Sequence, residues 1–292
     1  MSQKTSRETS RALFKPRVSG WAGVGLMALL YTILYICNFW VPLNRGSYTN
    51  RIWEWSQFAL TAAALIILIA KRRAITPGRA LLGLALAVPS AASRWFYDLE
   101  VLRHLDAMGM RFLLECASVW LCFMAGDALF RDLSATRVAA FQPPLREIGR
   151  SVLFGIVMGI PLAIVNNLYF YFNAPSVQFE NVFYSAYKAL SPGIAEEIVF
   201  RFLILAFCLT LLKSSAHLRL ATAASVFLAV VPHSLNHLPD LFLENVAMGF
   251  FMLIVTSLLF GLPMAWLQLK RNLEAAMAFH GFIDFARFLF GF

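Results

Sequence analysis

Residues 184–212 read YSAYKALSPGIAEEIVFRFLILAFCLTLL. The stretch is long and apolar enough to cross a bilayer, yet Glu196, Glu197 and Arg201 fall inside it. A charged side chain in hydrocarbon costs at least about 3 kcal/mol, so such residues are functional candidates by default. That inference depends on the surroundings being lipid, which the rest of the chain decides.

The chain has 292 residues, 60% hydrophobic and 14% charged, with a mean hydropathy of +0.68. A soluble domain is about half apolar and about a quarter charged. The composition therefore predicts an all-α, polytopic transmembrane helix bundle. The net charge of +9 sits in short clusters between apolar runs, the pattern of cytoplasmic membrane loops rather than of a nucleic-acid surface. Cys37, Cys116, Cys122 and Cys208 lie in apolar segments without CxxC spacing, which reads as buried free cysteine and not as a disulfide or zinc framework.

A spanning helix needs about 20 apolar residues. Nine stretches qualify, at roughly 20–42, 54–71, 78–97, 111–130, 150–172, 183–213, 219–238, 246–269 and 273–291. Alternate linkers are basic: KRRAITPGR (71–79), RDLSATRVAAFQPPLREIGR (131–150), KSSAHLR (213–219) and QLKRN (268–272). The opposite linkers, among them NAPSVQFENV (173–182) and LPDLFLEN (238–245), carry acid and no base. The positive-inside rule then expects a cytoplasmic N-terminus and eight or nine spans. Residues 1–19 form a basic cytoplasmic tail, 20–149 a first group of helices, and 150–292 a second group holding the unusual polar residues.

Spacing arranges these residues. Glu197 and Arg201 are four apart, on one helix face, and can pair. Glu196 is rotated about 100° from Glu197, off that face, where it can take up a proton. His233 and His237 are four apart, between Pro232 and Pro239. His280 and Asp284 repeat the spacing on the last stretch, and Gly281 allows a close backbone approach. A carboxylate that deprotonates water, with imidazoles that orient it and stabilise an oxyanion, is hydrolytic chemistry. Each has a plainer reading: Glu197–Arg201 can simply join helices, and a membrane histidine can bond a neighbour. Glu115, Asp127, Arg94 and Asp98 are assigned to structure or pathway lining, Arg94 pairing with Asp98; Asn166 and Asn167 can bridge helices, and His217 is solvated.

EEIVFR fits the EExxxR motif of the CPBP family of intramembrane glutamic proteases, which includes the CAAX prenyl endopeptidases of the Rce type and bacterial Abi proteins. HGFID fits that family's last motif, a histidine followed four residues later by Asn or Asp. The resemblance covers about 150–291. It implies a cofactor-free endopeptidase in which Glu196 activates water, Glu197 and Arg201 support the site, a middle histidine holds the water, and His280 with Asp284 stabilises the oxyanion. It also implies a peptide or protein substrate at the membrane, a bilayer location and a bacterial cell membrane.

Two positions depart from the family pattern. The middle motif is FxxxH, but His237 has His233 at the Phe position and His233 has Ala229. The LP after His237 favours that residue and the spacing from Arg201 favours His233, so both remain candidates. Asp284 stands where the prenyl proteases carry Asn. Counted at about 1.5 Å per residue, Glu196 lies far from the inner end of its span and His280 near the inner end of its own. Either the last span begins deeper or the cavity is tall. Two other readings fit the same residues: a zinc protease with His233, His237 and His280 as ligands, although HExxH is missing, and a transporter or membrane scaffold, bacteriocin immunity included.

Overall fold

The computed structural model describes residues 19–43, 46–93, 108–133, 137–141, 145–173 and 176–292. The basic tail up to residue 18 and the expected Arg94–Asp98 pair lie outside them. Among the described residues every regular element is helical. The helices are α1 (Gly20–Trp40), α2 (Tyr48–Ala70), α3 (Pro77–Ser93), α4 (Met108–Asp132), α5 (Arg146–Asn173) and α6 (Val182–Lys188), then a π-helical segment Pro192–Phe202 that runs into α7 (Leu203–Leu212). They continue as α8 (Leu218–Asn236), α9 (Pro239–Glu244), α10 (Val246–Thr256), a π turn Ser257–Gly261, α11 (Leu262–Lys270) and α12 (Leu273–Leu289).

Six helical stretches among the described residues are long and apolar enough to cross a membrane: Gly20–Trp40, Tyr48–Ala70, Phe112–Asp132, Arg146–Asn173, Leu218–Asn236 and Val246–Lys270. Three further expected stretches are helical but shorter or interrupted. α12 has 17 residues, α3 is described as far as Ser93, and the stretch around 183–213 is interrupted between Lys188 and Pro192. The outer surface is apolar, as lipid requires: Leu26, Leu29, Leu30 and Ile33 on α1 and Phe250, Phe251 and Ile254 on α10 are all exposed.

The core is built around α4 and the π segment. Val119, Cys122, Phe123 and Met124 pack with Ile198, Phe202 and Leu203, and this cluster extends into α1, α2 and α3. A second cluster joins α12 to α5 and α11 through Ala163, Leu267, Ala276 and Phe279. Small residues let α5 approach α12: a Cβ on Gly155 would lie 2.2 Å from the Ala275 carbonyl oxygen.

Polar groups inside the first helices are matched in place. Gln57 Nε2 donates to Glu115 Oε2 (2.5 Å), and Asp127 is paired with Arg79 and with Arg131. Glu115 and Asp127, read as structure or pathway lining, thus each have a partner inside the bundle. Arg51 ties the end of α1 to α2, donating to Asn38 Oδ1 (2.9 Å) and the Val41 carbonyl (2.7 Å). The Asn167 amide donates to Ala163 O (2.8 Å), in the preceding turn of its own helix α5, rather than to another helix. Cys122 and Cys208 are buried, whereas Cys37 is exposed on α1, and all four are free thiols.

α12 begins inside the protein. Leu273, Ala275 and Ala276 are fully buried. Asn272 Oδ1 caps the Ala275 N–H (3.1 Å), and Leu273 N donates to Arg137 O (2.8 Å). Glu274 accepts from the N–H groups of Ala139 and Ala140 (2.7 and 3.0 Å). The expected linker 268–272 is therefore mostly helix, with Gln268 buried on α11; the basic pair Lys270–Arg271 marks only its end. Replacing Gly155 with Leu forces α5 away from the α12 backbone. The variant is expected to lose about 2–3 kcal/mol of stability from overpacking, read as a lowered melting temperature of the detergent-purified protein, with Gly149→Leu, which meets nothing within 4 Å, as the unaffected control.

Candidate active site

The site starts from Pro192. Without an N–H, proline cannot continue the hydrogen-bond ladder of α6, and the chain resumes in a wider i→i+5 register, seen in Leu203 N donating to Ile198 O. Glu196 and Glu197 sit on this π segment, a form of helix frequently found at functional sites. The segment crosses α12 closely at two glycines. A Cβ on Gly193 would stand 2.9 Å from Gly281 Cα, so a side chain there would separate the helices. His280, next to Gly281, is carried to the two carboxylates by this crossing.

Glu197 is wholly buried and matched on every side. Its Oε1 takes the Arg201 guanidinium and His280 Nδ1 (2.7 Å). Its Oε2 accepts from Gln268 Nε2 (3.0 Å), which also lies 3.2 Å from the Glu197 carbonyl oxygen. Arg201 continues to the Nδ1 of His233 on α8. Arginine can only donate, so His233 Nδ1 accepts and its hydrogen is on Nε2. That Nε2 stands 3.0 Å from Glu196 Oε2 and donates to it.

Glu196 is the reachable carboxylate, 14% exposed at its side chain, while Glu197 is at 0%. Its Oε2 is 3.8 Å from His280 Nε2 and 3.9 Å from His237 Nε2. His237, at the C-terminal end of α8, is 47% exposed at its side chain, so the site opens on that side. His280 Nε2 is 3.3 Å from Asp284 Oδ2, and Asp284 Oδ1 is 3.2 Å from Arg287 Nη2. The structure thus brings all seven sequence-derived residues, Glu196, Glu197, Arg201, His233, His237, His280 and Asp284, into one network.

Five contributors were not singled out in the sequence. Arg287 lies three residues beyond Asp284 and was findable by spacing. Gln268 was read as part of a basic linker. Gly193 carries no chemistry. Trp53, on α2, sets its indole edge-on to His233 and His237, with ring centroids 5.1 and 4.8 Å away; nothing in its local sequence marks it. Tyr31 on α1 places its hydroxyl 2.8 Å from both the Pro232 carbonyl and the Asn236 side chain, steadying the end of α8 where proline removes a backbone donor.

Glu196, His233 and His237 offer one ligand atom each, all within 4.8 Å of one another. The donor chemistry does not fit a divalent ion. Ligation through His233 Nε2 would need its lone pair, moving the hydrogen to Nδ1, where the Arg201 guanidinium already donates. His280, the third expected ligand, has both nitrogens turned to carboxylates.

Residues 178–286 match the family model described as type II CAAX prenyl endopeptidase Rce1-like. This segment is similar to the CAAX-protease family. It contains all seven residues of the network above, in agreement with the resemblance in EEIVFR and HGFID, and the match supports a membrane endopeptidase. No curated protein and no solved structure matches the chain.

Gln268→Leu removes both hydrogen bonds to Glu197 and leaves a buried carboxylate oxygen unmatched. The variant is expected to unfold about 2 kcal/mol more easily, and Gln268→Glu, which sets a second carboxylate against the first, more easily still. Chemical denaturation followed by tryptophan fluorescence reads both.

Proposed function

We propose that the protein is an intramembrane endopeptidase that hydrolyses a peptide bond of a membrane-associated or lipidated substrate with water activated by Glu196. The supporting observation is the division of labour between adjacent carboxylates. Glu197 is sealed and saturated by Arg201, Gln268 and His280, whereas Glu196 is reachable and ringed by His233, His237 and His280.

In this reading Glu196 takes a proton from water as the oxygen attacks the scissile carbonyl carbon. His233 donates through Nε2 and fixes the carboxylate that holds the water; at 3.0 against 3.9 Å it is favoured over His237 as the middle-motif histidine. His280 stabilises the oxyanion. Asp284 orients the His280 ring, and Arg287 offsets its charge, so an acid in place of Asn does not oppose the developing negative charge. The proton on Glu196 then passes to the leaving nitrogen as the C–N bond breaks. The substrate approaches from the side of His237, whose exposed ring suits it to peptide positioning. The alternating charge of the linkers supports nine passes, with the N-terminus and the basic linkers on the cytoplasmic side.

Purified protein in lipid nanodiscs, incubated with membrane peptides including prenylated C-terminal ones, tests the reading. Glu196→Gln and His233→Ala are expected to lower cleavage by about 10²-fold or more, the range of a lost general base, and His237→Ala by less. A zinc chelator is expected to leave cleavage unchanged. Cleavage by Glu196→Gln at the wild-type rate, or its abolition by the chelator, would overturn the mechanism.

A further inference from the structure

The protease mechanism makes no use of a second concavity at the opposite end of α8 from His233 and His237. A cavity of about 620 Å³ lies among the end of α4, the end of α7 and the start of α8, within the range of roughly 300–1,000 Å³ typical of small-ligand sites. Phe130, Leu209 and Leu212 give it an apolar floor, and Arg137, Lys213 and Ser214 a polar rim. Asp132 also lines it, but Lys71 is paired with that carboxylate. Arg137 and Lys213 have no ion-pair partner among the described residues, and Arg137 Nε is buried without a hydrogen-bond acceptor. α8 also opens here without a side-chain cap, leaving first-turn N–H groups unmet. Lys71, Arg137 and Lys213 come from three different basic linkers, and they converge at the same end of the bundle.

We propose that this cavity binds the phosphate of an anionic phospholipid from the adjoining leaflet. Arg137 and Lys213 hold the phosphate, Ser214 donates to it, and the apolar floor receives the glycerol and first methylenes. The floor favours a lipid over a free anion, which would leave those side chains uncovered. Two unmatched cations disfavour a choline headgroup, whose own positive charge they would repel. Lipids of negative charge are the chemistry that basic clusters at helix ends select on the cytoplasmic leaflet.

Native mass spectrometry of the full chain, released from detergent after exposure to phosphatidylglycerol, phosphatidylcholine or inorganic phosphate, tests this. Phosphatidylglycerol is expected to be retained and phosphatidylcholine not, and excess inorganic phosphate is expected not to displace the lipid. Lys213→Gln should weaken retention about fivefold and Arg137→Gln with Lys213→Gln about 30-fold, from the usual contribution of one basic residue near a lipid phosphate. Arg72→Gln with Arg73→Gln removes the same charge from exposed residues that do not line the cavity and should change nothing. Equal loss from both pairs would mean diffuse surface attraction, equal retention of phosphatidylcholine would remove the role of the cations, and displacement by inorganic phosphate would remove the lipid; any of the three overturns the proposal. Lys213 is exposed, so its single variant keeps the measurement possible if Arg137 is needed for folding.

Discussion

The Glu197 carboxylate is the constraint around which the C-terminal helices are arranged. An ion removed from water carries a penalty of several kcal/mol unless its partners replace the lost hydration. Here the partners come from three elements: Arg201 from the π segment itself, Gln268 from α11 and His280 from α12. Arg201 passes the constraint on to α8 through His233. Four helical segments can satisfy one buried charge in only a narrow set of arrangements. In those arrangements the neighbouring Glu196 is turned to the rings that flank it. The interaction that stabilises the bundle is thus the one that orients the reactive groups.

The helices before residue 146 belong to this arrangement as well. Trp53 closes over His233 and His237 with its edge, while Phe200, from the π segment, stacks on His233 at 5.8 Å between centroids. Tyr31 holds the end of α8 where Pro232 interrupts the backbone ladder. An imidazole held between an edge-on indole, a stacked phenyl ring and a guanidinium has few rotamers left, which in the proposed mechanism would keep the donor in position before substrate arrives. These helices therefore form one wall of the site in addition to anchoring it in lipid.

The sequence made the fold class and the polar network legible for a simple reason: both signals are short-range or global. Composition averages over the whole chain, and the Glu197–Arg201 and His280–Asp284 pairs sit four residues apart on single helices. The contributors that escaped it act across long separations or through backbone. Trp53 meets His233 from 180 residues away in sequence, and no local pattern encodes that contact. Gly193 matters only because Gly281 faces it. Gln268 was hidden by the neighbouring Lys270 and Arg271, whose charges mark the end of a helix that in fact includes it. The depth of α12 was illegible because burial of its first turn depends on Arg137, Ala139 and Ala140 from another part of the chain.

Asp284 in the position where the prenyl proteases carry Asn follows from a count of charges. Glu196, Glu197 and Asp284 bring three acids, and Arg201 and Arg287 two bases. With neutral imidazoles the site would hold one uncompensated negative charge in a medium that penalises it. His280 turns one nitrogen to Glu197 and the other to Asp284, and a neutral ring has a single hydrogen for the two. A second proton shared between His280 and Asp284 meets both needs: it completes the hydrogen bonds and brings the site to neutrality. An Asn at 284 would make one acid fewer and need no such proton. The acid and Arg287 are therefore a matched pair, three residues apart on the last helix, and in the proposed mechanism they would keep a protonated donor at His280 facing Glu196.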